Sequence, residues 1–167
     1  MSIFNDSEQE LLDAAKYVLR DGIERLKTRP QLFPTTRRSR SAERIECAAA
    51  REALTLHLIA EYGSLRHEVA VVALIDAQGR LIGVEQFPQG KATHCEVHPR
   101  ILAEKIVRTG TVAIVLAHNH PSGSNNPSQA DIKMTDFFKD WVKPLDCELL
   151  EHFVLSPGDA GAIMGDF

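Results

Sequence analysis

Residues 117–131 read AHNHPSGSNNPSQAD, an order of residue types that suits a metal site better than a solvent-exposed loop. An apolar run, residues 112–117, ends in His118 and His120; a loop of Pro, Ser, Gly and Asn follows, and Asp131 then falls just inside a predicted helix. Side chains alternate across a strand, so His118 and His120 share a face with Val112, Ile114 and Leu116 while Asn119 points the other way. On a helix, Asp131 lies within the arc of Met134, Phe137, Phe138, Trp141, Val142 and Leu145. A carboxylate on a buried face is costly unless it is paired or bound to a cation, and the helix amino terminus favours its charge. Two imidazoles and one carboxylate suit a tetrahedral Zn²⁺ ion whose fourth position is left to water, the arrangement of catalytic rather than structural sites. Plainer readings stand beside this one. The two histidines can be a hydrogen-bonded pair at a strand end, and Ser128-x-x-Asp131 is also a capping box with Ser128 as the N-cap. Capping and ligation are compatible, because the cap fixes the direction in which Asp131 points.

These side chains need elements to position them. Apolar residues at helical spacing predict an amphipathic helix over about residues 7–27, with Pro30 beyond its end. The stretch RPQLFPTTRRSRS, with two prolines and a cluster at Arg37, Arg38 and Arg40, reads as a linker. A second helix is expected from Ser41 to Gly63, the glycine serving as a left-handed cap. HEVAVVALID and RLIGVEQF flank AQG as a β-hairpin, and the first is apolar on both faces, hence central in a sheet. HPRILAEKIVRTG places Pro99 near a helix start and Gly110 just past its end. A buried strand TVAIVLAHNH, a helix over about residues 128–143 and a strand CELLEHFVLS complete the series. Strands alternating with helices indicate an α/β domain with a mixed β-sheet. The expected division is an N-terminal helix and basic linker over residues 1–40, followed by one domain over residues 41–167.

Composition narrows the classes further. The 167 residues, 44% hydrophobic, are enough for one well-buried core and few for two domains. A formal net charge of −4 argues against a surface that binds nucleic acid throughout. Cys47, Cys95 and Cys147 form no CxxC pair, so neither a disulfide framework nor a cysteine zinc site is expected. No signal-peptide pattern opens the chain, and no aliphatic run approaches the roughly 18 residues a membrane helix needs. A cytoplasmic protein without membrane partners is the expectation, its oligomeric state left open.

His118-x-His120-Pro121 followed by Ser128-x-x-Asp131 resembles the JAMM (MPN/JAB) metalloprotease motif. HNHPSG with PSxxD after it, VHPR upstream and EHFVLS downstream resembles the bacterial RadC-like branch of that superfamily, over about residues 41–157. The resemblance implies a JAMM/MPN-like, cytidine-deaminase-like fold. It implies one zinc ion held by His118, His120 and Asp131, and a Ser128 that hydrogen-bonds the bound water or the tetrahedral intermediate. The family's catalytic glutamate precedes the motif on an early strand, where Glu68 is the matching position, with Glu85 and Glu96 in reserve; a surface glutamate is the other reading. His98 and His152 match positions typical of the branch but outside the ligand set, which suggests packing or hydrogen bonding behind the ligands. His57, His67 and His94 read as surface residues.

Two departures limit the carry-over. Longer RadC-like proteins resemble helix-hairpin-helix proteins in an amino-terminal region, whereas residues 1–40 show no glycine-containing hairpin of that sort. HPRIL also lacks the acidic residue that often follows HPR in relatives. DNA repair is therefore not expected. The leading expectation is a zinc-dependent peptidase or isopeptidase acting on a protein or peptide substrate, with Glu68 as general acid and base. The alternative is a DNA-associated accessory protein with a structural or vestigial metal site, in which RRSRS contacts phosphate and binding weakens with salt. HNH nucleases and zinc deaminases do not fit, the first for their dispersed motif and the second for want of PCxxC.

Overall fold

The computed structural model describes residues 23–28, 32–33, 41–87, 97–165 and 167. Most of the expected linker and of the first helix lies outside these residues, as do Arg37, Arg38, Arg40, His94 and Glu96, whereas Leu32 of that linker is buried in the core. Residues 23–28 are helical, and Ile23 and Leu26 join the core.

Helix α1 spans Ser41–Tyr62, and strands β1 (Ala70–Ile75) and β2 (Leu81–Phe87) form the expected hairpin. Asp76 builds its turn, accepting from the backbone N–H of Gln78 and Arg80 at 2.9 Å each. Helix α2 (Pro99–Thr109), strand β3 (Ala113–Asn119) and helix α3 (Gln129–Trp141) follow, then a short 3₁₀ turn, Lys143–Leu145. Strand β4 (Glu148–Ser156) and a short strand β5 (Asp159–Ala162) close the chain. The mixed sheet has the order β2-β1-β3-β4-β5, antiparallel throughout except for the parallel pair β3 and β4. Strand β5 was not foreseen from the sequence: its four residues, DAGA, carry no apolar alternation.

Every residue of β1 and of β3 is buried, as strands flanked on both sides and covered on both faces must be. One face carries Val71, Ala73, Val115 and Ala117 with Leu54 and Leu58 of α1. The other carries Val72, Leu74, Ile114 and Leu116 with Leu102 and Ile106 of α2 and Phe138 of α3. By alternation His118 belongs to this second face, beside α3.

Helix α2 has Pro99 in its first turn and Gly110 as a left-handed cap at φ 66°, as its sequence predicts. Gly63 departs from its expected role. Its φ is not among the positive ones; what it meets instead is backbone, a Cβ there lying 2.5 Å from the Ser156 carbonyl oxygen and 2.7 Å from that of Ile59. The end of α1 thus touches the end of β4, and only a residue without a side chain allows the approach.

Candidate metal centre

His118 is the penultimate residue of β3, and His120 follows one residue past its end. The backbone N–H of His120 still reaches Leu155 of β4, and its carbonyl accepts from Gly123 at 2.9 Å, where φ of 79° turns the loop. That loop leans on the β4–β5 hairpin: Asn125 donates to Asp159 at 2.7 Å, and a Cβ on Gly161 would collide with the Asn125 carbonyl. It returns to Ser128, the N-cap of α3. The capping box is complete: the Ser128 hydroxyl accepts from Asp131 N–H at 3.2 Å, and the Asp131 carboxylate accepts from Ser128 N–H at 2.6 Å. Asp131 is thereby aimed, and it is buried.

The aim is toward the two imidazoles. His118 Nε2 lies 3.1 Å from Asp131 Oδ1 and 3.1 Å from His120 Nε2, and His120 Nε2 lies 3.4 Å from Asp131 Oδ2. A tetrahedral ion with bonds of about 2.0–2.1 Å separates its ligand atoms by roughly 3.3 Å. Each of these contacts is near that spacing, the two to Asp131 through different carboxylate oxygens, and the three side chains form a cluster able to hold a metal ion. Among the described residues no other set of three such side chains converges in this way. Burial opposes charge on Asp131, yet hydrogen bonds from His118 and Ser128 and the charge of His118 outweigh it and hold the carboxyl below the usual carboxylate range.

Behind His118 stands His152 of β4, its Nε2 2.9 Å from His118 Nδ1. Register explains the meeting, because Leu116 pairs with His152 in the parallel ladder and His118 follows on the same face. The other nitrogen of His152, Nδ1, lies 2.7 Å from Thr135 Oγ1, and Thr135 donates to the Asp131 carbonyl at 2.7 Å. Burial, reinforced by the facing His118, pulls the pKa of His152 down to about 3, so its imidazole is neutral at ordinary pH.

Asn119 points to the opposite face, as alternation requires, and grips the segment leading into β1. Its amide nitrogen donates to the carbonyls of Leu65 and His67 at 2.9 and 3.0 Å, and its oxygen accepts from Val69 N–H at 2.8 Å. Glu68 is half-buried within the segment so held. Ala70, the first residue of β1, pairs with His118, and Glu68 lies two residues ahead of that pair, before the strand begins. Glu85 stands elsewhere: it lies on the outer strand β2 and pairs with Lys105 of α2 at 3.1 Å.

The remaining histidines divide. His98 precedes α2 without capping it through its side chain, and His67 is exposed. His57 is not the surface residue expected of it: its Nδ1 is buried without a hydrogen-bond partner among the described residues, and burial lowers its pKa. The helical arc assigned to Asp131 also needs correction at one position. Asp131, Thr135, Phe138 and Val142 form the buried stripe, whereas Phe137 is 51% exposed and stacks on Trp141.

Three groups escaped the sequence reading. Thr135 was one, although a hydroxyl four residues after Asp131 on a buried stripe was a usable signal. The clamp of Asn119 was another. The third is Glu151, a fully buried carboxylate inside an apolar strand, which accepts from the N–H groups of His152, Met164 and Gly165 at 2.7–2.8 Å and so fastens residues 163–165 across β4.

The chain is similar in sequence to known proteins. A UPF0758 protein of Albidiferax ferrireducens is 37% identical over 112 residues, 67% of this chain and 46% of the relative. One from Verminephrobacter eiseniae is 35% identical over 126 residues, 74% of this chain and 53% of its own. One from Chromobacterium violaceum is 42% identical over 93 residues, 56% of this chain and 42% of its own. The chain thus spans about half the length of the curated relatives it matches. The family profile described as the RadC-like JAB domain matches residues 48–163, which takes in most of α1, all five strands and the three converging donors. The five-stranded mixed sheet, the flanking helices and this match together show that the chain belongs to the RadC-like JAB domain family.

Proposed function

We propose that the chain is a zinc-dependent hydrolase of amide bonds, a peptidase or isopeptidase, with His118, His120 and Asp131 as the ligands. One observation carries the reading: three side chains with borderline-soft and hard donors converge in a mostly buried site, their ligand atoms within 4.8 Å of one another. Lone pairs brought this close repel one another, and a cation among them turns that repulsion into bonding. Bound Zn²⁺ supplies a nucleophile at neutral pH and a Lewis acid for the carbonyl. The protein's own groups do the rest. Glu68 takes a proton from the attacking water and returns it to the departing amine nitrogen, and the Asn119 clamp keeps its segment beside β3. The Ser128 hydroxyl oxygen is engaged by the cap, and its proton is the donor for the developing oxyanion.

Two measurements test this. Purified protein should carry one zinc per chain, and His118→Ala with His120→Ala should abolish it; a wild-type chain without stoichiometric metal, or a double variant that keeps it, removes the reading. Glu68→Gln should keep the zinc and lose about 10²–10⁴-fold in turnover of peptide or ε-lysyl isopeptide substrates. Unchanged turnover would take the base role from Glu68.

A further inference from the structure

Four contacts close a ring that begins and ends on Asp131. Its carbonyl accepts from Thr135 Oγ1 at 2.7 Å; Thr135 Oγ1 meets His152 Nδ1 at 2.7 Å; His152 Nε2 meets His118 Nδ1 at 2.9 Å; and His118 Nε2 lies 3.1 Å from the Asp131 carboxylate. Thr135, His152 and His118 are each at most 3% exposed, so bulk water does not compete for these bonds.

The direction of every proton in the ring follows from one atom. A carbonyl oxygen only accepts, so the single hydroxyl proton of Thr135 is spent on Asp131. Toward His152, Thr135 can then only accept, and the proton of a neutral His152 must sit on Nδ1. Its Nε2 is left with a lone pair, which accepts from His118 Nδ1–H. With Nδ1 carrying that proton, the lone pair that His118 can give a metal lies on Nε2, and any proton that Nε2 shares with the Asp131 carboxylate must leave as the metal binds. The reverse polarity would set the Thr135 oxygen against the Asp131 carbonyl, lone pair to lone pair, at 2.7 Å.

We propose that Thr135 and His152 are a positioning pair that selects the tautomer of His118 and so prepares its Nε2 to bind a metal. The inference rests on the reading of His118, His120 and Asp131 as ligands. It adds that the ligand's protonation is set from a helix backbone carbonyl through two side chains that never touch the ion. Partners behind ligating histidines fix ring orientation and basicity, and their loss typically costs 10–100-fold in affinity.

The experiment pairs zinc titrations with nitrogen NMR of the histidine rings. Thr135→Val, which keeps shape and removes the hydroxyl, should weaken Zn²⁺ binding about tenfold, and Thr135→Ser should return it to near the wild-type value. His152→Leu should weaken it further. In the folded, metal-free wild-type protein, His152 should carry its proton on Nδ1, and Thr135→Val should erode that preference. A proton found on His152 Nε2 overturns the proposal, as does a folded Thr135→Val protein with wild-type zinc affinity. A wild-type chain that takes up no zinc overturns the ligand reading instead, and the nitrogen shifts of His152 still decide whether the ring is polarised as described.

Discussion

Ser128 answers two demands that substitution can separate. As N-cap it accepts from Asp131 N–H, and as proposed donor it offers its hydroxyl proton to the oxyanion. Asn is as good an N-cap as Ser, while Ala is a poor one at a cost of about 1 kcal/mol. Ser128→Asn should therefore melt like wild type and still turn over substrate at least tenfold more slowly, whereas Ser128→Ala should lose both stability and rate. Equal rates for wild type and Ser128→Asn would leave the residue with the cap alone. At this scale the site was largely legible, because strand alternation and helical periodicity are local rules that put His118, His120 and Asp131 on converging faces. His152 was legible only as packing or hydrogen bonding behind the ligands, which its contact with His118 bears out, and Thr135 and the link between the two were not. Their meaning depends on the pairing of β4 with β3, which skips a residue between Ile114 and Val115, and no local rule predicts that irregularity.

Between elements, two contacts decide how α1 and the entry to β1 sit against the sheet. Asn119 bonds three backbone groups of the segment that carries Glu68. Asn119→Ala leaves those groups buried and unpaired, at about 1–3 kcal/mol for each one that water cannot reach. The expected variant is less stable in urea and slow in turnover, yet retains zinc, since all three ligands lie outside the clamped segment; loss of metal would show that the clamp supports the ligands themselves. Gly63→Ala should destabilise by roughly 1–3 kcal/mol, the usual cost of overpacking, because its Cβ meets backbone that cannot rotate away. The element pattern from β1 to β4 followed from apolar periodicity and from Pro99 and Gly110. Gly63 was misread for a physical reason: a glycine after a helix signals either a left-handed turn or a close approach, and only the position of β4 distinguishes them.

For the molecule as a whole, the groups whose pKa values are lowered act on stability in the same direction. His152, drawn down to about 3 by burial and by His118, and His57, lowered by burial, both take up protons in the unfolded chain before they can in the folded one. Acid therefore favours unfolding from about pH 6.5, the ordinary histidine value, downward, and for His152 the loss continues to about pH 3. Asp131 is held below its ordinary range, so its contribution is complete above about pH 4 and is lost as the pH falls further. Each differing proton contributes at most about 1.4 kcal/mol per pH unit. Urea unfolding of the metal-free protein should thus give a free energy that declines steadily from pH 7 to pH 4. His152→Gln, which has no proton to gain, should decline with a slope shallower by up to that amount between pH 6 and pH 4. An identical slope in the two proteins would mean that His152 titrates in the folded state as it does in the unfolded chain, and that its burial between β4 and α3 does not keep it neutral.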